Sequence, residues 1–318
     1  MVKTMKLGST DVTIGRVVHG LMMMTWRDPN FPLPDEEAFA TIKSGIDAMP
    51  AGVKMMLNSG EFYGPNGSSA NLELLARFFK KYPDYASKTF LSVKPYPMLS
   101  AGWQGGNVAG GMTPDGSPEN LRRSVMFINE KLGGIKKMDL FESARIPQNV
   151  SLEDMMKTLV ELKKEGHFQY IGLSECSASS LRKAHAVHPI TIVEIEVNSW
   201  SYEEETKKAG DMRRSLSRFE EENFKHNMAL VDSVKVIADK KGVTPAQLAI
   251  AWVISRGPHV VPMPGSSNKK RNLENIAAGD IVLNQADLAE IDEVLAKTPI
   301  KGGRYTDSQD TTKLHLWG

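Results

Sequence analysis

The sequence LNSGEFYGP at residues 57–65 combines the end of a strand with a loop that carries a tyrosine. It completes an apolar run that begins at Val53, and this run predicts a short buried strand over residues 53–57. The glycine-proline pair that closes the stretch ends the strand region. Because α/β barrels place their chemistry on the loops that follow the strands, we predict such a barrel with Tyr63 at its active site.

A second strand, predicted over residues 90–94, ends in Lys94 and is also followed by a proline. Alternation places Ser92 and Lys94 on one face, the lumen of a barrel, although a surface lysine that caps a strand has the same spacing. A neighbouring ammonium is expected to lower the pKa of Tyr63 from its ordinary value of about 10. Tyr63 is therefore the candidate general acid, and an ordinary packed aromatic is the alternative.

The chain has 318 residues, a net charge of +1 and a single cysteine, Cys176. This length suits one large α/β domain over residues 1–318, with a C-terminal tail over about 299–318. The balanced charge gives no reason to expect a nucleic-acid or membrane partner, and no apolar run suits a signal peptide or a membrane span. One cysteine cannot form an internal disulfide, so we expect a cytoplasmic protein that could also reach the nucleus by diffusion.

Strand-like and helix-like segments alternate along most of the chain at the spacing of βα units. This alternation is typical of a TIM-type (β/α)8 barrel. Residues 5–16 predict a β-hairpin that plugs the bottom of the barrel, and the glycine-rich residues 98–116 predict a long loop that could act as a lid. The predicted strands are 17–21, 53–57, 90–94, 139–142, 170–173, 191–195 and 260–263, and the predicted helices are 34–48, 69–81, 118–132, 151–166, 177–186, 220–241 and 244–256.

The alternation fails after the sixth predicted strand. No apolar strand is predicted between Trp200 and Val260, so we count seven strands where a complete barrel has eight, and strand 7 is missing. Seven strands close a barrel only with a changed tilt and shear. Either the sequence has lost this unit through splicing or an incorrect gene model, or the protein is a functional seven-stranded variant.

Residues 264–271, PGSSNKKR, predict an anion-binding site. A strand ends in Gly-Ser-Ser and a helix then begins among basic residues, so backbone N–H groups and cationic side chains face one point. Barrels commonly bind phosphate after their last strands. The alternative is a basic helix start that is exposed to water and binds no anion. The sequence has no GxGxxG motif after a strand, which argues against a Rossmann site.

The seven histidines show no metal-ligand spacing. His185 and His188 are three residues apart, but no cysteine or carboxylate cluster accompanies them, so we expect no metal site. Trp26, Trp103 and Trp200 could line the substrate entrance or pack in the core.

These motifs together resemble the aldo-keto reductase superfamily, and within it most of all the fungal pyridoxal reductases. The resemblance extends from about residue 5 to about residue 305. It implies an NADPH-dependent oxidoreductase that reduces a small-molecule aldehyde, with pyridoxal converted to pyridoxine and no obligatory protein partner. The motifs that carry it are GLM at 20–22, TW at 25–26, NSGEFYG at 58–64, SVK at 92–94, DLFESAR at 139–145, GLSE at 172–175 and residues 262–275.

The resemblance also implies roles for individual residues. Hydride would pass from NADPH to the aldehyde while Tyr63 protonates the oxygen and Lys94 tunes Tyr63. Glu175 stands where many relatives have asparagine. By the same resemblance, Trp26 and Tyr63 contact the substrate, Ser266, Ser267, Lys269 and Arg271 hold the adenosine 2′-phosphate, Glu274 and Asn275 hold the adenine side, and Ser174 and Glu194 bond the nicotinamide carboxamide.

The chain departs from the family at two catalytic positions. Asn58 replaces the aspartate that pairs with the lysine, and Ala144 stands where the family has a histidine. An unpaired buried lysine tends to lose its charge. Because Glu142 shares the inward parity of Ala144, we hypothesise that Glu142 or Glu61 supplies the missing anion. A structural polar residue low in the barrel is the alternative for Glu142.

Compared with the family, about one βα unit, or about 30 residues, is absent after Lys208. In the family, the strand-7 loop stacks on the nicotinamide and contacts the pyrophosphate. A barrel that binds the cofactor without turnover is therefore the alternative function. A lyase or isomerase is a further alternative, but the sequence lacks the carboxylate or metal cluster that such chemistry requires.

Overall fold

The structure is a computed structural model that describes residues 2–95, 98–99, 112–196 and 216–304. At its centre, a curled sheet contains six parallel strands: β3 (His19–Gly20), β4 (Met55–Gly60), β5 (Thr89–Lys94), β8 (Leu140–Ala144), β9 (Tyr170–Ser174) and β10 (Ile192–Glu194). Their spatial order is β10-β9-β8-β5-β4-β3. Helices cover the outer face of this sheet, so the fold is the predicted TIM-type barrel architecture.

The N-terminal hairpin closes the bottom of the lumen, as predicted. It consists of β1 (Thr4–Lys6) and β2 (Thr13–Gly15), which pair antiparallel. The lumen-facing side chains near the starts of the strands pack directly on this hairpin. These side chains are apolar, and so is the lower half of the lumen. The buried cluster contains Leu7, Ile14, Val18, Met56, Phe90 and Leu140.

Alternate side chains of the strands face outward and join the main core under the helices. Leu57, Leu91 and Phe141 belong to this core, together with the apolar faces of the surrounding helices. The helices of the described residues are α1 (Met22–Thr25), α2 (Asp35–Asp47), α3 (Ala70–Lys81), α4 (Pro118–Lys131), α5 (Leu152–Lys164), α6 (Ala178–Val187), α7 (Glu221–Lys241), α8 (Pro245–Ser255), α9 (Lys269–Ala277) and α10 (Gln285–Lys297).

Side-chain caps define several helix starts. Ser117 and Ser151 cap α4 and α5 through their hydroxyl oxygens, and Thr244 forms a capping box with Gln247 at the start of α8. Each cap satisfies backbone N–H groups of the first turn, which have no partner within the helix. The sequence predicted these three starts.

The prediction of a strand over residues 260–263 was wrong. This segment lies along β3 and accepts hydrogen bonds from it, with Val18 N donating to Pro262 O at 2.9 Å and Gly20 N to Pro264 O at 3.0 Å. Proline has no N–H to donate in return. Beside the two prolines, the described residues show an isolated parallel bridge between Gly20 and Gly265 in place of a regular strand.

Several predictions fall wholly or partly outside the described residues. Residues 98–99 (β6) and 112–113 (β7) form a two-stranded antiparallel sheet within the predicted lid, and the intervening residues lie outside the description, as do Trp103 and Trp200. Of the predicted tail, residues 299–304 are described. Among the described residues, β10 pairs with β9 alone and forms an edge of the sheet.

Candidate active site

The upper half of the lumen is polar and lies at the carboxyl ends of the strands. Period-2 alternation brings Asn58 of β4, Lys94 of β5, Glu142 of β8 and Glu194 of β10 to this place. The side chains of Asn58, Lys94 and Glu142 are buried. The lumen therefore encloses one ammonium, two carboxyl groups and one amide.

Lys94 contacts all three of its polar neighbours. Its Nζ atom lies 2.5 Å from Oε2 of Glu194 and 3.8 Å from Oε2 of Glu142, and it donates to Oδ1 of Asn58 at 2.9 Å. Burial by itself lowers the pKa of this lysine, but the charges of Glu142 and Glu194 raise it above its ordinary value. Lys94 is thus a stable cation despite its burial.

Asn58 connects the two carboxyl groups. Its Nδ2 atom donates to Oε2 of Glu142 at 3.0 Å and to Oε2 of Glu194 at 2.9 Å. Ser92 also donates to Oε2 of Glu142, at 2.7 Å. Each polar atom of the Asn58 side chain is therefore bonded, so the amide holds the lysine and both acids in fixed positions.

Glu142 is a carboxyl group with an unusual proton affinity. Burial, followed by the charge of Glu194, raises its pKa to about 8. Its Oε1 atom is buried, and none of the described residues bonds to it. Both observations favour the neutral acid near pH 7.

Tyr63 lies beside this cluster, directly after β4. Its ring centroid is 5.8 Å from Nζ of Lys94, and Trp26 and Phe62 pack against the same ring. Burial raises the pKa of Tyr63 to about 12, which outweighs the opposing effect of the Lys94 charge and hydrogen bond. The ammonium acts in the predicted direction, but the predicted net lowering of the tyrosine pKa was wrong because burial is the larger effect.

Glu61 does not supply the anion near Lys94. Its carboxylate accepts from Arg123 at 2.7 Å and from Ser124 at 2.5 Å, both on α4. Period-2 alternation ends with the strand, so the sequence could not indicate where Glu61 points. Of the two residues suggested for the missing charge, the structure brings only Glu142 near the lysine.

The role of Glu194 beside Lys94 was missed. Sequence reasoning assigned Glu194 to a cofactor amide by resemblance, although its parity in the sixth predicted strand matches that of the other lumen residues. Ser174 lies next to it, in register with both Glu194 and Ala144. This parity was the signal that could have identified Glu194 as a neighbour of Lys94.

The structure brings the predicted anion-site residues together at the start of α9. Asn268 caps this helix by accepting from Arg271 N at 3.1 Å, and Lys269 and Arg271 belong to its first turn. Ser266 is buried, and its hydroxyl forms a tight turn with Asn268. The Ser266 hydroxyl shapes the loop, and the loop offers a helix N-terminus and cationic side chains to an anion.

Of the other predicted cofactor residues, Ser267 precedes α9, and Glu274 and Asn275 lie in its second half. Asn275 is buried, and Glu274 accepts from Thr244 at 2.6 Å, which ties it to the cap of α8. Ser267 is half-buried, and its carbonyl oxygen lies 3.3 Å from the Thr41 hydroxyl. These residues extend the candidate site from the helix start toward the surface between α8 and α9.

Glu175, at the end of β9, has a partner that sequence reasoning did not suggest. It adopts a left-handed backbone with φ of 56°, and Arg304 donates to both of its carboxylate oxygens, at 2.7 and 3.0 Å. Arg304 also contacts Glu196. The last described residue is thereby attached to the loop after β9.

Within the described part of the chain, no three His, Cys, Asp or Glu side chains are grouped in a way that could hold a metal ion. The described helices also include none with the length and hydropathy of a membrane span.

The polar lumen combines the buried phenol of Tyr63 with the buried cation of Lys94, a pair that is suited to protonating an oxygen atom.

Comparison with protein families gives one match that covers most of the chain. The model of the aldo/keto reductase family matches residues 16–209 and residues 201–296. The match is divided at residues 201–209, the place where the sequence analysis finds a βα unit missing. The division indicates that family members have residues here that this chain lacks.

Two relatives are similar over almost their whole length. Probable pyridoxal reductase 2 of Schizosaccharomyces pombe is 32% identical and is covered to 97%, with 94% of this chain aligned. Probable aldo-keto reductase 1 of Glycine max is 29% identical, with 97% of this chain and 93% of the relative covered. The first alignment spans 338 positions, 20 more than the 318 residues of this chain, so at least that many lie opposite gaps in it.

Solved structures share the fold. The glycerol dehydrogenase AKR11B4 from Gluconobacter oxydans superposes with a TM-score of 0.72 at 16% identity, covering 94% of this chain and 97% of its own. A thermostable aldo-keto reductase, Tm1743, gives a TM-score of 0.64 at 20% identity, covering 92% and 99%. Family model, relatives and fold agree, and the chain belongs to the aldo/keto reductase family of oxidoreductases, which reduce the carbonyl groups of aldehydes and ketones.

Proposed function

We propose that this chain reduces an aldehyde to the corresponding alcohol with NADPH, and that pyridoxal is the substrate and pyridoxine the product. The observation that carries the proposal is the buried Tyr63 beside the buried, paired ammonium of Lys94. The choice of pyridoxal rests on the similarity to a probable pyridoxal reductase of Schizosaccharomyces pombe.

Tyr63 is the proposed general acid. Bound NADPH would supply the hydride that reaches the carbonyl carbon. Tyr63 donates its phenolic proton to the carbonyl oxygen, so that one hydride and one proton convert the aldehyde to the alcohol. Lys94 stabilises the phenolate that forms, since its charge and hydrogen bond lower the pKa of Tyr63 against the effect of burial. Trp26, which packs on Tyr63, is proposed to contact the substrate.

The residues around the start of α9 fit the phosphate groups of NADPH. Ser266, Ser267, Lys269 and Arg271 combine hydroxyl donors with positive charge at a helix N-terminus, the chemistry that suits a phosphate monoester. We assign the 2′-phosphate to these residues. The adenine side is assigned to Glu274 and Asn275 and the nicotinamide end to Ser174, on the resemblance described above.

An NADPH titration followed by a turnover assay tests the proposal. Tyrosine and tryptophan fluorescence should change saturably with NADPH, and the melting temperature should rise with its concentration through linkage. Pyridoxal should then be reduced with loss of NADPH absorbance, and NADH at the same concentration is the control. Failure to bind NADPH would contradict the proposal.

A second candidate function is a barrel that binds NADPH without turnover. The divided family match at residues 201–209 favours it, because the missing segment lies in the part of the barrel that follows β10. Saturable NADPH binding with no reduction of pyridoxal or of other aldehydes would support this candidate over the enzyme.

A further inference from the structure

The carboxylate nearest to Lys94 belongs to β10. The Nζ atom of Lys94 lies 2.5 Å from Oε2 of Glu194 and 3.8 Å from Oε2 of Glu142. The two acids also differ in exposure, since the side chain of Glu194 is 25% exposed and that of Glu142 is completely buried. A negative charge is more stable on the acid that keeps some water and has the closer cation.

The two acids are close enough to interact as a pair. Nδ2 of Asn58 bonds Oε2 of both acids, which brings the two carboxyl groups together, and the charge of Glu194 helps to raise the proton affinity of Glu142. Two adjacent carboxylates have only acceptors and repel each other, so a proton on one of them relieves this repulsion. Oε2 of Glu142 already accepts from Asn58 and Ser92, while Oε1 is buried with no bond from the described residues. A proton on Glu142 removes an uncompensated negative charge from this buried oxygen.

An asparagine suits position 58 for the same reason. The Nδ2 group donates to Oε2 of both acids, and Oδ1 accepts from Lys94. An aspartate at this position has no donor for the two acids and would place a third carboxyl group against them. The neutral amide therefore fits a site whose single negative charge lies on another residue.

We propose that Glu194 is the counter-ion that keeps Lys94 charged during the reaction, that Glu142 carries a proton beside it, and that Asn58 is the neutral bridge between them. The inference rests on the proposed function, because it assigns positioning roles within that active site. It gives Glu194 a role beside the one that resemblance assigned to it at the nicotinamide carboxamide, since Oε2 of Glu194 bonds Lys94 and Asn58.

Moving the charge from residue 194 to residue 58 tests the proposal. Glu194→Gln should lower kcat by about 10- to 100-fold, a part of what a general acid contributes, with little change in the Kd for NADPH. The double variant Asn58→Asp/Glu194→Gln should recover about tenfold, because it restores one carboxylate next to Lys94. Glu142→Gln should lose less than Glu194→Gln. Glu165→Gln, which removes a surface carboxylate paired with Arg122, is the control.

Three results would overturn the proposal. Glu194→Gln could weaken NADPH binding while kcat stays the same, which would identify a cofactor ligand instead. The double variant could fail to recover activity. Alternatively, Glu142→Gln could lose more activity than Glu194→Gln, and this result would identify Glu142 as the counter-ion.

Thermal unfolding gives a readout that does not depend on turnover. Glu194→Gln should lower the melting temperature of the wild-type chain but not of a Lys94→Met chain, because the charge pair is already absent there. An equal loss in both backgrounds would overturn the proposal. If unfolding shows the coupling but no aldehyde is reduced, the proposed function fails while the charge assignment stands.

Discussion

The Nζ atom of Lys94 and the Oε2 atom of Glu194 lie 2.5 Å apart across the lumen, although their strands are not neighbours in the sheet. β8 and β9 separate β5 from β10. The ion pair therefore bridges the interior of the curled sheet. It places a fixed charge beside Tyr63, and the predictions about chemistry follow from this arrangement.

Removing the phenol of Tyr63 should abolish most of the activity and leave the fold intact. We expect Tyr63→Phe to lower kcat for aldehyde reduction by about 100- to 10,000-fold, the contribution typical of a general acid, with an unchanged Kd for NADPH. Steady-state kinetics and a fluorescence titration measure the two quantities. Tyr85→Phe, which removes an exposed hydroxyl bonded to Asp47, is the control. A Tyr63→Phe variant with wild-type kcat would exclude Tyr63 as the acid.

Removing the cations at the start of α9 should weaken NADPH binding more than NADH binding. Each charge-assisted bond to a phosphate contributes about 1.5–3 kcal/mol, so Lys269→Ala and Arg271→Ala should each raise the Kd for NADPH about tenfold or more. Lys297→Ala, which removes an exposed lysine of α10, is the matched control. Equal losses of affinity for the two cofactors would indicate that these residues do not contact the 2′-phosphate.

The stability of the chain should depend on His19 in mildly acidic solution. Burial lowers the pKa of His19 to about 4, while its unfolded value is about 6.5. Between these values the unfolded state binds more protons, so the contribution of His19 is complete above pH about 6.5 and is lost as the pH falls toward about 4. The full loss corresponds to about 3 kcal/mol.

A His19→Gln variant isolates this contribution, since an amide does not titrate and can still donate to the Ser266 carbonyl, which lies 2.9 Å from Nε2 of His19. Urea unfolding of both chains at pH 7 and pH 4.5 gives the two free energies. The wild type should lose more stability than the variant between these pH values. Parallel losses would show that His19 is not buried as a neutral ring.

Glu142 should have the opposite dependence on pH. Its folded pKa is raised to about 8 from an ordinary value of about 4.5, mainly by burial and then by the charge of Glu194. The folded state therefore binds more protons between these values. The contribution of Glu142 is complete below pH about 4.5 and is lost as the pH rises through about 8.

Glu142→Gln removes this titration. We expect the free energy of unfolding of the wild type, relative to that of the variant, to fall between pH 5 and pH 8.5. Urea unfolding at three pH values in this range measures the difference. A wild type that gains stability relative to Glu142→Gln as the pH rises would mean that Glu142 is ionised in the folded state, which would also contradict the protonated role proposed above.

Local patterns were sufficient for most elements of this fold but not for α1 or α10, which the sequence analysis did not predict. The alternating strands and helices, the N-terminal hairpin, and the caps at Ser117, Ser151 and Thr244 follow from residue spacing within a few positions. Spacing also predicted that Lys94 and Glu142 share one face. It did not predict that residues 260–263 form no regular strand, although Pro262, which has no N–H group, is part of the sequence.

Residue spacing alone specifies which side chains of each strand face the lumen, because the side chains of a strand alternate with a period of two residues. Which of these side chains contact one another depends on the folded arrangement of the strands. Lys94 and Glu194 are 100 residues apart, and their contact depends on the curvature of the sheet across two intervening strands. The position of the Glu61 side chain likewise depends on Arg123, which is distant in the sequence. The net pKa of Tyr63 depends on burial by distant segments. No local sequence pattern encodes either effect.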